Sequence, residues 1–173
     1  LERHYRAALE RDPGDLLALQ GRVEALRRLE APVPAQVDAL AALAAQQTPA
    51  ERFRTLVEIA EIHEGAGDPA AALAVLERAE QEPDAPLEIA ERVDRLMERT
   101  QQPEALLERL ERRSEPHDPA SAEAVALDLQ RAALLEGELE RPAEAAVLYR
   151  CALEHAPRSR EAAEGLERAL RAS

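Results

Sequence analysis

Few residues in this chain are spaced for chemistry. His63-Glu64 begins like the His-Glu-x-x-His motif of zinc proteases. That motif needs a second imidazole one turn on, so that two ligands share a helix face, and position 67 is Gly. Gly65-Ala66-Gly67 looks like a piece of a phosphate loop, but no strand precedes it, so it reads as a turn. Cys151 and His155 stand at i, i+4, where a thiol and an imidazole make a nucleophile only if a third group orients the base. Cys151 takes the place of Ala7 in a second copy of the same phrase, so a packed, inert thiol is expected. Glu77/Glu80 and Glu108/Glu111 are paired carboxylates, common on acidic helices and without weight unless a pocket holds them. The four His residues form no metal-ligand cluster. No catalytic residue, metal or cofactor is expected, and the protein reads as a non-enzyme.

The elements around these residues are helices. Hydrophobic residues make up 46% of the 173, charged ones 33%, and there are three aromatics, Tyr5, Phe53 and Tyr149. Ala, Leu, Glu and Arg dominate, and they lose little side-chain freedom in a helix. A core almost without rings is built from Leu and Ala, which favours thin layers of closely packed helices. Every basic position is Arg, with no Lys or Asn, the bias of a GC-rich bacterial genome. The net charge of −13 argues against nucleic acid and against anionic membrane surfaces as partners. A protein partner of basic or mixed charge fits better. One cysteine excludes an internal disulfide and fixes no compartment, which stays open with the cytoplasm slightly favoured. The chain starts at Leu1 within a repeat, which reads as a fragment whose targeting segment and further repeats would lie upstream.

Proline breaks helix interiors and is welcome at helix starts, so the prolines measure the helices. Pro13, Pro49, Pro83, Pro119 and Pro157 form one series, and Pro34, Pro69, Pro103 and Pro142 interleave with it, all at steps of 34 to 39 residues. Between breaks the segments are amphipathic at helical spacing: Leu19, Val23 and Leu26; Leu56, Ala60 and His63, with Ile59 and Ile62 beside them; Ile89, Val93 and Leu96. Asp15, Asp68 and Asp118 stand at helix starts as N-caps, the last two just before a Pro. Ten helices are predicted, over 1–12, 15–30, 34–47, 50–65, 69–82, 86–100, 103–114, 119–137, 142–155 and 159–172. Short loops between them favour antiparallel neighbours. The phrase His4–Pro13 recurs at Leu148–Pro157 with six of ten positions matching, as two uses of one repeated helix would require.

A two-helix unit of this length resembles the tetratricopeptide repeat. Its second helix carries a small residue, a large one four on, Ala three further and then Pro. Ala145, Tyr149, Ala152 and Pro157 match in full; Ala72, Leu76, Ala79 and Pro83 match with Pro one residue early; Tyr5, Ala8 and Pro13 match with Leu1 in the small position. Ala35, Ala39 and Ala42 keep the spacing without the large residue, and Ala105, Arg109 and Arg112 keep only the first member. Arg22 and Arg92 stand where a large apolar residue is usual, and Glu136 where Tyr is usual. The resemblance implies an all-α, right-handed superhelix of about five helix pairs, forming one array over 1–173.

It also implies a concave groove lined by the first helix of each pair. Positions one past the core residues give Gln20, Glu24 and Arg27, then Val57, Glu61 and Glu64, then Ala90, Asp94 and Met97, then Gln130, Leu134 and Gly137. The groove is expected to be mainly acidic, and its occupant a basic or amphipathic protein segment. Reversing Glu61, Glu64 and Asp94 to Arg is expected to abolish its capture without loss of helix. Co-chaperone relatives hold a C-terminal carboxylate with Lys, Arg and Asn, a set this chain lacks. Residues 159–172 are expected to form a polar cap, and the apolar flank Leu1, Tyr5 and Leu9 to promote self-association. A spacer or oligomerisation arm, or an accessory domain of a larger enzyme, are the alternatives.

Overall fold

The computed structural model describes residues 2–173; Leu1, assigned above to the first apolar flank, lies outside them. Among the described residues the fold is ten α-helices: α1 (Glu2–Arg11), α2 (Leu16–Arg28), α3 (Val33–Ala44), α4 (Pro49–Gly65), α5 (Pro69–Glu80), α6 (Leu87–Arg99), α7 (Pro103–Ser114), α8 (Ala122–Gly137), α9 (Pro142–His155) and α10 (Arg160–Ala172). All ten predicted helices are present. Two compact units contain them, residues 1–100 with α1 to α6 and residues 101–173 with α7 to α10.

Local chemistry sets the helix starts. Asp15 Oδ1 accepts from the N–H groups of Leu17 and Ala18, and Asp68 Oδ1 accepts from Ala71 N–H with Pro69 in the first turn. Thr48 donates its N–H and its hydroxyl to Glu51, a residue of the first turn of α4, and the hydroxyl bond holds the Glu51 carboxyl below its ordinary pKa. The expected cap at Asp118 is corrected. Asp118 accepts from Ala120 N–H in a turn, and α8 begins three residues later than expected, with Ser121 Oγ accepting from Ala124 N–H at 3.1 Å. A hydroxyl three residues before a free N–H competes well with Asp-Pro for that end.

The turns that follow first helices share a geometry the sequence barely marks. Glu30, Gly67, Gln101 and Glu140 all have positive φ, and Pro follows two residues after each (Pro32, Pro69, Pro103 and Pro142). After α2 and α4 this closes a Schellman-type end: Ala31 N–H reaches Leu26 O at 3.0 Å and Asp68 N–H reaches His63 O at 2.9 Å.

In the first unit each helix packs on the next from α1 to α6, and Leu19, Val23, Leu26, Ala39, Leu40, Leu43 and Ile59 form one cluster across α2, α3 and α4. In the second unit α7 packs on α8, α8 on α9 and α9 on α10, and α10 also returns to α8; Ala132, Leu135, Ala145, Ala146, Tyr149 and Ala169 form the centre. The small-large-small signature is buried where it is complete: Ala72, Leu76 and Ala79, like Ala145, Tyr149 and Ala152, are almost fully enclosed. Each such Leu contributes about 1.5–3 kcal/mol by leaving water. In α7 the frame is shifted by one residue. Ala105 is exposed, and Leu106 and Leu110 turn inward because they are the larger apolar pair.

The repeated phrase is one structure used twice. Tyr5 of α1 lies over Gly21 of α2, and Tyr149 of α9 lies over Gly165 of α10, each pair sixteen residues apart. The two N-caps between them, Asp15 and Ser159, occupy equivalent positions and accept from the equivalent N–H groups of Ala18 and Ala162.

Candidate interaction surface

The first helices of the pairs are α2, α4, α6, α8 and α10. On α2, Gln20, Glu24 and Arg27 are exposed; on α4, Glu61 is exposed while Val57 and Glu64 are half-buried. These six lie on helices of one unit. Further along, the expected lining departs from the surface: Ala90, Asp94 and Met97 of α6 and Leu134 of α8 are buried, leaving only Gln130 and Gly137 of that set exposed. The rule of one residue past the core fails there because the buried arc is broad. In α6 it takes in Ile89, Ala90, Val93, Asp94, Leu96 and Met97, well beyond a narrow apolar stripe.

The charges on this face pair with one another across first helices. Arg27 of α2 pairs with Glu58 of α4. Arg92 of α6 reaches back to Glu64 at 3.0 Å and Glu61 at 3.6 Å on α4, and Arg99 reaches Glu64 at 3.9 Å. In the second unit Arg168 of α10 grips Glu136 of α8 with two bonds of 3.0 and 3.2 Å. Glu24 is held within α2 by Arg27 and Arg28. Within each unit these carboxylates of the first helices are therefore paired with Arg, as rungs of a ladder. Each half-exposed rung contributes up to about 1 kcal/mol.

Glu136 explains a departure from the repeat pattern. It also accepts from the Tyr149 hydroxyl at 2.9 Å, so one carboxylate joins α8, α9 and α10. The Arg168 bond holds Glu136 below the ordinary carboxylate pKa, and burial with the Glu136 contact pushes Tyr149 up to about 12.

The residues weighed for catalysis occupy open or structural positions. His63 is half-buried on α4, and position 67 is a left-handed turn Gly, so Gly65-Ala66-Gly67 ends a helix. Cys151 is exposed, as is Ala7 at the equivalent place, which corrects the expectation of a packed thiol; the enclosed small residues are the next ones, Ala8 in part and Ala152 fully. His155 is also exposed. Among the described residues no group of three or more His, Cys, Asp or Glu is placed to hold a metal ion, and no helix is long and apolar enough to cross a membrane. An open recess of about 390 Å³ lies between the start of α8 and the end of α9, lined by Val125, Leu129, Ala156 and His155 among others.

The enclosed small-large-small residues, the paired helices and the Tyr–Gly contacts define an all-α protein of tetratricopeptide-like helix pairs. No protein-family model matches the chain, and no curated protein does. Among solved structures, a MamA protein is similar at 17% identity over 89% of this chain and 80% of its own, with a TM-score of 0.48. A second MamA structure is similar at 13% identity over 99% of this chain and 85% of its own, with a TM-score of 0.46. YrrB, described as a TPR protein with an unusual peptide-binding site, is similar at 14% identity over 100% of this chain and 94% of its own, with a TM-score of 0.46.

Proposed function

We propose that this chain is a non-enzymatic scaffold that binds a protein segment on the face formed by α2 and α4. The observation that carries the reading is that this face presents Gln20, Glu24 and Glu61 to solvent beside half-buried Val57. A basic or amphipathic segment suits it, since an incoming Arg or Lys can exchange with Arg27, Arg28 or Arg92 as the partner of these carboxylates. The net charge of −13 favours the approach of such a segment.

The variant that tests it differs from the one the sequence favours. Glu64 is held by Arg92 and Arg99, and Asp94 is buried, so reversing either would damage the fold as well as the surface. Glu24→Arg with Glu61→Arg changes side chains that are 50% and 61% exposed. In affinity capture from lysate read by mass spectrometry, a protein retained by the native chain and lost with this double variant, at unchanged helical content, supports the reading. Equal recovery on both overturns it.

The ladder of Arg–Glu rungs favours a second reading, a structural spacer whose surface charges stiffen the array and engage nothing. Under that reading the double variant loses stability and no partner. An accessory role beside a catalytic domain is separated from both by the sequence of the full-length protein.

A further inference from the structure

We propose that Arg27 is a built-in competitor for the partner segment and selects for arginine in it. Arg27 sits on Glu58; an incoming guanidinium takes that carboxylate, and Arg27 falls back on Glu24. The inference rests on the partner face of α2 and α4 and names the cation that face admits.

Three cations stand against the carboxylates of this face, and they are held differently. Arg92 is half-buried and bonds Glu64 at 3.0 Å, a carboxylate that Arg99 also reaches at 3.9 Å. Arg28 is exposed and bonds Glu24 of its own helix at 2.8 Å, so it joins no two helices. Arg27 joins α2 to α4 through Glu58, yet the two side chains are 46% and 33% exposed. Among the described residues it is the one cation on Glu58. Glu58 stands next to Val57 and one turn before Glu61 on α4, within the face.

Arg27 also has somewhere to go. Arg28 occupies Oε1 of Glu24, and Oε2 of Glu24 lies 3.9 Å from Nη1 of Arg27. A short swing closes that pair once Glu58 is taken. Exchange of one guanidinium for another on Glu58 replaces like bonds with like, and the closed Arg27–Glu24 pair adds to the balance. An incoming Lys does not match it, because a compact, strongly hydrated point charge then replaces a planar fork. The rung therefore sets a threshold that Arg passes and Lys does not. The segment that fits is amphipathic, with an apolar residue beside its Arg, to meet Val57 and Glu58 together.

The probes are two labelled synthetic amphipathic helices, one of Leu and Arg and one of Leu and Lys in the same order. Each is titrated into the intact chain at low salt and followed by fluorescence anisotropy. The Arg peptide should bind saturably below about 1 mM, and the Lys peptide several-fold more weakly. Arg27→Gln should tighten the Arg peptide by up to about fivefold, the scale of one half-exposed ion pair, and the Lys peptide by more. In a Glu58→Gln background the gain from Arg27→Gln should disappear, which separates an uncovered carboxylate from a change in net charge. A merely structural rung would lose stability with Arg27→Gln and gain no affinity.

Glu24→Arg with Glu61→Arg reports on the face itself. If it loses the Arg peptide while Arg27→Gln binds neither peptide more tightly than the native chain, the competitor is overturned and the α2–α4 face stands. If it binds like the native chain, or if the native chain reaches no saturation up to about 1 mM, the face fails and the competitor with it. A gain from Arg27→Gln that persists in the Glu58→Gln background overturns the assignment of Glu58.

Discussion

The ring of Tyr149 covers Gly165 so closely that a Cβ on the glycine would stand less than 3.0 Å from three ring atoms. Tyr149 is 2% exposed and bonded through its hydroxyl to Glu136, so it cannot swing aside. Gly165→Ala therefore overpacks the α9–α10 contact. Such insertions cost about 1–3 kcal/mol, against about 1 kcal/mol of helix propensity gained. A net loss of up to about 2 kcal/mol is expected in chemical denaturation. Gly21→Ala meets Tyr5, which is only half-buried, and should be close to neutral.

Tyr149 and the Glu136 carboxylate it bonds set two pH limits. Glu136 has a lowered pKa, so its share of stability is present above the ordinary carboxylate range and is lost as pH falls through the folded value. Tyr149 is raised to about 12 from 10.0, so its share is present below pH 10.0 and is lost as pH rises toward about 12. Tyr149→Phe should flatten the alkaline loss in a series of urea melts between those values. Arg168→Gln should flatten the acid loss.

Backbone conformation predicts gains as well as losses. Glu30 and Glu140 hold φ of 46° and 51°, a region where side chains other than Gly are strained. Glu30→Gly and Glu140→Gly should each be neutral or stabilising by up to about 1 kcal/mol, unlike glycine placed in a helix. Gly67→Ala, at φ 77°, should cost about 1–2 kcal/mol although no atom crowds the site. Differential scanning calorimetry of the three variants checks this.

These turns also mark how far the sequence could be read. Helix number and pairing were legible because proline carries positional meaning and stands at nearly every break. The left-handed residues were not, since three of the four are Glu or Gln, which give no sign of positive φ. The candidate face was legible in part. Gln20, Glu24, Arg27 and Glu61 are exposed, whereas Asp94, Met97 and Leu134 are buried, because a pattern of three apolar residues does not report how wide a helix's buried arc is. The pairing of Arg92 with Glu61 and Glu64 joins residues about thirty apart and depends on how first helices stack, which no local window contains.

The rungs should respond to salt according to exposure. Arg92 and Glu64 are 23% and 27% exposed, whereas Arg160, paired with Glu164, is 89% exposed. Arg92→Ala is expected to cost about 1 kcal/mol at low salt and less in about 1 M salt, and Arg160→Ala to cost nothing measurable. Thermal melts at two ionic strengths separate the cases.

Within residues 1–100 the helices pack in sequence order from α1 through α6, and contacts reach no further than the next first helix, as in the Arg27–Glu58 and Arg92–Glu64 pairs. Under tension along the chain no distant clamp has to break before the rest can yield. Helices at the end can peel away singly, each step opposed by the contacts of one layer. Stretched in an optical trap, this unit should lengthen through small successive steps at low force and rewind with little hysteresis, behaving more like a spring than a latch.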